Sequence, residues 1–158
     1  MTPTSDRAVR VAAGSVMLDG DLSLPDPASG VVLFAHGSGS SRHSPRNRYV
    51  ARVLQEAGLG TLLIDLLTPE EEAVDMRTAH LRFDIGLLAA RLTSATEWLA
   101  QQPDTAMRTI GYFGASTGAG AALVAAADRG TRLARSCRAG GGRTSPGPLW
   151  PRFARRRC

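Results

Sequence analysis

The sequence predicts an α/β domain, a mostly parallel sheet covered by helices on both faces. Three observations predict it. Val31–Ala35, Thr61–Ile64 and Thr109–Phe113 are short continuous apolar runs, the pattern of strands buried on both sides. Amphipathic stretches with helical spacing separate them. Strand and helix alternate in chain order, which implies parallel strands joined by right-handed crossovers. The regular pattern reaches about Asp128, so residues 1–128 are expected to form the domain and residues 129–158 a tail.

The elements follow in order. From Ala8 to Leu24 apolar residues alternate with polar or small ones around Gly14-Ser15, the pattern of an antiparallel hairpin. Pro25-Asp26-Pro27 through Gly30 is turn chemistry. The strand Val31–Ala35 runs into a glycine- and serine-rich loop, His36-Gly37-Ser38-Gly39-Ser40-Ser41. Ser44 then offers an N-cap with Pro45 at the first helical position, and Gly58 offers the C-terminal stop. Tyr49, Val50, Val53, Leu54 and Ala57 are expected to mark the buried face of that helix. The strand Thr61–Ile64 ends at Asp65, followed by Glu70-Glu71-Glu72 as a solvated loop or helix start. Leu81, Ile85, Leu88, Leu92, Ala95 and Leu99 predict a long helix stopped near Pro103. After the strand Thr109–Phe113, Gly118–Ala127 reads as a helix of small residues.

Composition narrows the class. At 158 residues, with 43% hydrophobic and 21% charged content, the chain fits one globular domain rather than a fibrous or disordered protein. No apolar run approaches the ~20 residues of a membrane-spanning helix. Asp6, Asp19, Asp21 and Asp26 interrupt the first thirty residues, so no signal peptide is expected and the default location is the cytoplasm.

Charge divides the chain sharply. All fourteen acids and ten of the nineteen arginines lie at or before Asp128, a net −4, whereas residues 129–158 carry +9. The tail is rich in Arg, Gly, Pro and Ala and is expected to be disordered, or translated after a frameshift near Gly130. Cys137 and Cys158 lack the neighbours of a zinc site or a disulfide framework. Arg155-Arg156-Arg157 with Trp150 and Phe153 could grip phosphates and stack on bases, but a solvated cationic terminus is the plainer reading. Nucleic acid and membrane are not expected partners.

The chemistry concentrates at Gly114-Ala115-Ser116-Thr117-Gly118, a G-x-S-x-G sequence between a buried strand and a helix. A serine on so tight a turn needs small neighbours two positions away, and the helix start points N–H groups at developing negative charge. Ser116 is thus a candidate nucleophile, with Gly114 and Gly118 shaping its elbow. Gly37 or Ser38, with Thr117, would supply the backbone N–H groups that stabilise an oxyanion. The plainer alternative is a glycine-rich turn that packs a helix closely or holds a phosphate. His36 reads as structural, His43 as a substitute base, and Asp65 and Glu70 to Glu72 as solvated charges.

The segments VVLFAHGSGSSRHSPRNRYVA, TLLIDLLTPEEE and IGYFGASTGAGAAL resemble the dienelactone-hydrolase-like branch of the α/β-hydrolases. The resemblance covers about residues 8–128. It implies hydrolysis of a small-molecule ester or lactone through an acyl-enzyme on Ser116, without metal or organic cofactor. Dienelactone hydrolases proper carry cysteine at that position. The fold's chain order is nucleophile, acid, histidine, yet after Ser116 the only acid is Asp128 and there is no histidine. Asp128 lies three helical turns on, ~18 Å away at 1.5 Å per residue. The expectation is therefore a hydrolase fold truncated after the nucleophile helix, with impaired catalysis and an exposed sheet edge open to self-association. The alternative is a non-catalytic binding protein using the elbow loop or the basic tail.

Overall fold

The computed structural model describes residues 4–138. Strands β1 (Thr4–Ala13) and β2 (Val16–Pro25) form the hairpin, turning at Gly14 with φ +63°. They are followed by β3 (Gly30–Ala35), α1 (Pro45–Glu56), β4 (Gly60–Ile64), α2 (Pro69–Thr78), a single 3-10 turn (Leu81–Phe83), α3 (Ile85–Gln101), β5 (Thr109–Gly114) and α4 (Thr117–Arg138). The five strands form one sheet in the order β1-β2-β4-β3-β5. β3 pairs parallel with β4 and with β5, whereas β2 runs antiparallel to β1 and β4. Four strands thus share one direction and β2 opposes them. Among the described residues, β5 lies at a sheet edge.

Alternation along the central strands splits the core in two. Val31, Leu33 and Ala35 of β3 and Leu62 and Ile64 of β4 face one side. There they pack with Leu88, Leu92, Ala95 and Leu99 of α3 and Ala121 and Ala125 of α4. Phe34 and Leu63 face the other side with Ala51 of α1, flanked by Val32, Val50, Leu54 and Phe113. The rings of Phe34 and Phe113 sit 4.9 Å apart, tilted at 41°. Both faces are covered by helices because both faces of β3 and β4 are apolar.

Four expectations need correction. In α1 the buried residues are Asn47 and Ala51, whereas Tyr49 and Val53 are 63% and 47% exposed. Val50 and Leu54, half-buried, do pack against the cluster of Phe34, Ala51 and Leu63, so the inward line is Asn47, Val50, Ala51 and Leu54. Glu71 is not a solvated charge: it closes a capping box with Thr68 and pairs with buried Arg91. The long helix begins at Ile85 rather than Leu81, because Asp84 caps it by accepting from the Leu87 N–H. Finally, α4 continues to Arg138 instead of stopping near Ala127. Arg, Leu and Ala within that stretch are strong helix formers. Most of the basic tail, including Trp150, Phe153 and Arg155 to Arg157, lies outside the described residues.

Candidate active site at the strand-to-helix elbow

β5 ends at Gly114 and α4 begins at Thr117, which leaves Ala115 and Ser116 to reverse the chain. Ser116 is exposed at the tip with φ +53°, in the left-handed region that L residues rarely occupy. Holding a serine there costs about 1–3 kcal/mol, and the packing around it shows what imposes the cost. A Cβ on Gly118 would stand 2.1 Å from the Ala35 carbonyl oxygen and 2.5 Å from that of His36. One on Gly114 would stand 2.7 Å from the Ala119 Cα. The chain can turn this tightly against β3 only with glycine at both positions.

The turn is held by backbone hydrogen bonds. The Ala115 N–H donates to the Ala35 carbonyl at 3.4 Å, the Gly118 N–H to Ala115 at 3.0 Å and the Ala119 N–H to Ser116 at 3.0 Å. Thr117 is the first residue of α4, so its N–H has no acceptor within the helix. The N-terminal end of a helix concentrates such donors and partial positive charge beside Ser116.

The loop after β3 lies directly against this elbow. A Cβ on Gly37 would sit 3.0 Å from the Ala115 carbonyl oxygen and 3.2 Å from the Ser116 Cβ. Gly37, Ser38 and Thr117 line one cleft of about 170 Å³, together with His36, Asp65, Leu67, Met76 and Leu88. The cleft also meets Glu72, Asp75 and Arg82 from α2 and the 3-10 turn. Gly37 and Thr117 are thus neighbours of Ser116, and Ser38 lines the same cleft as both.

The charged wall is tightly partnered. Asp75, 1% exposed, accepts from the Leu81 N–H at 2.6 Å and the Arg82 Nε at 2.6 Å. Burial alone would raise its pKa, but Arg82 and the two backbone N–H groups outweigh it and hold the carboxyl below its ordinary value. Glu71 is also held low, chiefly by its hydrogen bonds from Arg91 at 2.5 and 2.6 Å, against a smaller opposing effect of burial. Arg91 donates as well to the Leu66 carbonyl at 2.6 Å, which ties α2 and α3 to the end of β4.

The histidines separate clearly. His36 accepts from the Leu66 N–H at Nε2 (2.9 Å), and its Nδ1 lies 3.0 Å from the Gly37 carbonyl. A carbonyl only accepts, so Nδ1 carries the proton and both ring nitrogens are committed to the backbone. His36 is a structural residue. His43 is exposed, does not line the cleft and has Nδ1 2.8 Å from Arg48 Nη2. Arginine only donates, so this contact leaves the His43 proton on Nε2. His80 precedes the 3-10 turn without a side-chain hydrogen bond to it and lies outside the cleft lining. Among the described residues, no group of three or more His, Cys, Asp or Glu is placed to hold a metal ion. No described helix is long and apolar enough to cross a membrane.

Sequence reasoning missed Arg42 and so took Asp65 for a solvated charge, whereas Asp65 is largely buried and paired with it. The Arg42 N–H donates to Asp65 Oδ1 at 2.7 Å and its guanidinium to Oδ2, which ties the far end of the loop after β3 to the residue following β4. No local signal marks this pair, whose members lie 23 positions apart.

Comparison with known proteins bears on the fold. No protein-family model matches the chain. Two Mycobacterium tuberculosis proteins named "Putative phosphoribosyl transferase" are each 64% identical over 126 residues. That is 80% of this chain, which spans only 28% of their length. The crystal structure of dienelactone hydrolase from Anabaena variabilis superposes with a TM-score of 0.79 at 67% identity. The match covers 81% of this chain and 59% of that one. Est1E from Butyrivibrio proteoclasticus shares the fold at 18% identity and a TM-score of 0.61, over 77% of this chain and 46% of its own. With its sheet order and these neighbours, the chain has the α/β-hydrolase fold and is similar to dienelactone hydrolase over most of its described residues.

Proposed function

We propose that the site is that of a serine hydrolase, transferring the acyl group of a small ester or lactone to water through Ser116. One observation carries the reading above the rest: a non-glycine residue, serine, is held at φ +53° between two glycines that admit no side chain. A turn that only packed a helix would be less strained with glycine at its tip. In this reading Ser116 Oγ attacks the acyl carbon, and the carbonyl oxygen becomes an oxyanion that accepts from Thr117 and from Gly37 or Ser38. Collapse of the oxyanion breaks the bond to the alcohol oxygen, which leaves with a proton while the Ser116 proton passes to solvent. Water then attacks the acyl-enzyme, giving the acid and restoring the serine hydroxyl. The cleft beside the elbow, with Leu67, Met76 and Leu88 in its wall, takes the acyl part or the ring.

Serine needs a base to take its proton and an acid to orient that base. After Ser116 the sequence offers Asp128 and no histidine, and His36 and His43 are engaged as described. Hydrolysis by this chain is therefore expected to be weak, resting on oxyanion stabilisation and substrate positioning, which alone can give about 10³–10⁴-fold over water. The transferase name belongs to proteins of which this chain spans 28%. The stretch it shares with them is long enough to include both the loop after β3 and the elbow.

The test is hydrolysis of a short p-nitrophenyl ester by the chain and by its Ser116→Ala variant. A rate above background that disappears in the variant supports the reading. Equal rates in both would sink it and leave the non-catalytic binding reading.

A further inference from the structure

We propose that Asp65 is the positioning residue of the oxyanion loop, holding Gly37 and Ser38 against the elbow through Arg42. The proposal rests on the reading of Ser116 as nucleophile.

The loop leaves β3 at Ala35 and enters α1 at Pro45. It is glycine- and serine-rich, and Gly39 sits at φ +70° with open space around its Cα. Its own backbone closes only two short turns, from the Ser40 N–H to Gly37 and from the Ser44 N–H to Ser41, both at 3.1 Å. Such a chain does not aim its N–H groups unaided. Two consecutive residues at the end of β4 hold it instead. Leu66 donates its N–H to His36 at the loop's start, and Asp65 accepts the Arg42 N–H at its end.

Asp65 suits that role in three respects. Its own N–H donates to the Asp19 carbonyl on β2 at 2.9 Å, which fixes it to the sheet. Both carboxylate oxygens are used, one by the Arg42 backbone and one by its guanidinium, so the grip sets direction as well as distance. The pair is also largely sheltered, with side chains 21% and 19% exposed. Asp65 lines the cleft, yet its oxygens are occupied, which argues for holding the loop rather than taking a proton. An oxyanion donor misplaced by about 1 Å can cost on the order of 10²-fold in rate, so the clamp matters more for turnover than for folding.

The experiment compares the full chain with Asp65→Ala, Asp65→Asn and Arg42→Gln, by amide hydrogen exchange over residues 37–41 and by kcat and KM on a short p-nitrophenyl ester. Asp65→Asn keeps an acceptor for the Arg42 N–H and is the variant to use if Asp65→Ala does not fold. We expect exchange in the loop to quicken about ten-fold or more in Asp65→Ala and kcat to fall about 10–100-fold, with KM within about two-fold and partial rescue in Asp65→Asn. Unchanged loop exchange, or a loss that appears in KM with kcat preserved, would overturn the clamp. A parent chain that hydrolyses nothing would sink the hydrolase reading, while loop exchange would still decide the clamp.

Discussion

The Cα of Gly118 lies so near the end of β3 that a Cβ there would stand 2.1 Å from the carbonyl oxygen of Ala35. This contact brings the first turn of α4 against the strand that launches the glycine- and serine-rich loop. The elbow and the loop thus share one scaffold.

Gly118→Ala is accordingly expected to destabilise the fold by about 3 kcal/mol or more, because the clash is with backbone and no side chain can yield. Gly120 supplies the control two residues on. A Cβ there meets only Ile85 side-chain atoms, at 3.5 Å or beyond. Within a helix, Gly120→Ala should be neutral or stabilising by up to about 1 kcal/mol. Urea unfolding midpoints of the two variants check the contrast.

The strain at Ser116 predicts a trade between stability and chemistry. Ser116→Ala keeps the left-handed backbone and should leave stability within about 0.5 kcal/mol of the parent. Ser116→Gly relieves the strain, and its gain of about 1–2 kcal/mol exceeds the entropy glycine costs in the unfolded chain. Both variants should lose ester hydrolysis. Thermal unfolding that ranks Ser116→Gly below Ser116→Ala would contradict a strained elbow.

Acid should loosen the α2 region first. Glu71 and Asp75 both have carboxyls held below their ordinary values, Glu71 chiefly by hydrogen bonds from Arg91, and Asp75 by Arg82 and backbone N–H groups that outweigh its burial. A depressed folded pKa contributes stability that is present above the unfolded value and is lost as pH falls through the folded one. Unfolding midpoints should therefore drop below about pH 4, from the ordinary carboxylate values downward. Glu71→Gln should flatten part of that drop and lower stability at neutral pH. A pH profile identical to the parent's would refute the assignment.

Much of this fold was legible in the sequence, for a physical reason. Strands buried on both faces need continuous apolar runs, and Val31–Ala35 and Thr61–Ile64 stand out as such without any alignment. The elbow was legible because its geometry permits little besides glycine at 114 and 118. The face of α1 was legible only in part: Val50 and Leu54 pack as their hydrophobicity suggests, but hydrophobicity also favours the exposed Tyr49 and Val53 and passes over buried Asn47. Glu71 looked like one of three solvated acids, since its partner Arg91 is 20 positions away across a crossover. The Thr68-x-x-Glu71 capping box did carry the signal for the start of α2. Asp65 and Arg42 carried none: pairs that meet only through sheet order leave no period in the sequence.

The central claim is that Ser116 is a nucleophile, and covalent labelling tests it most directly. The chain is incubated with a fluorophosphonate probe, and the modified residue is located by peptide mass spectrometry. The account predicts a single adduct on Ser116, abolished in Ser116→Ala. No adduct, or one that persists elsewhere in Ser116→Ala, would contradict it.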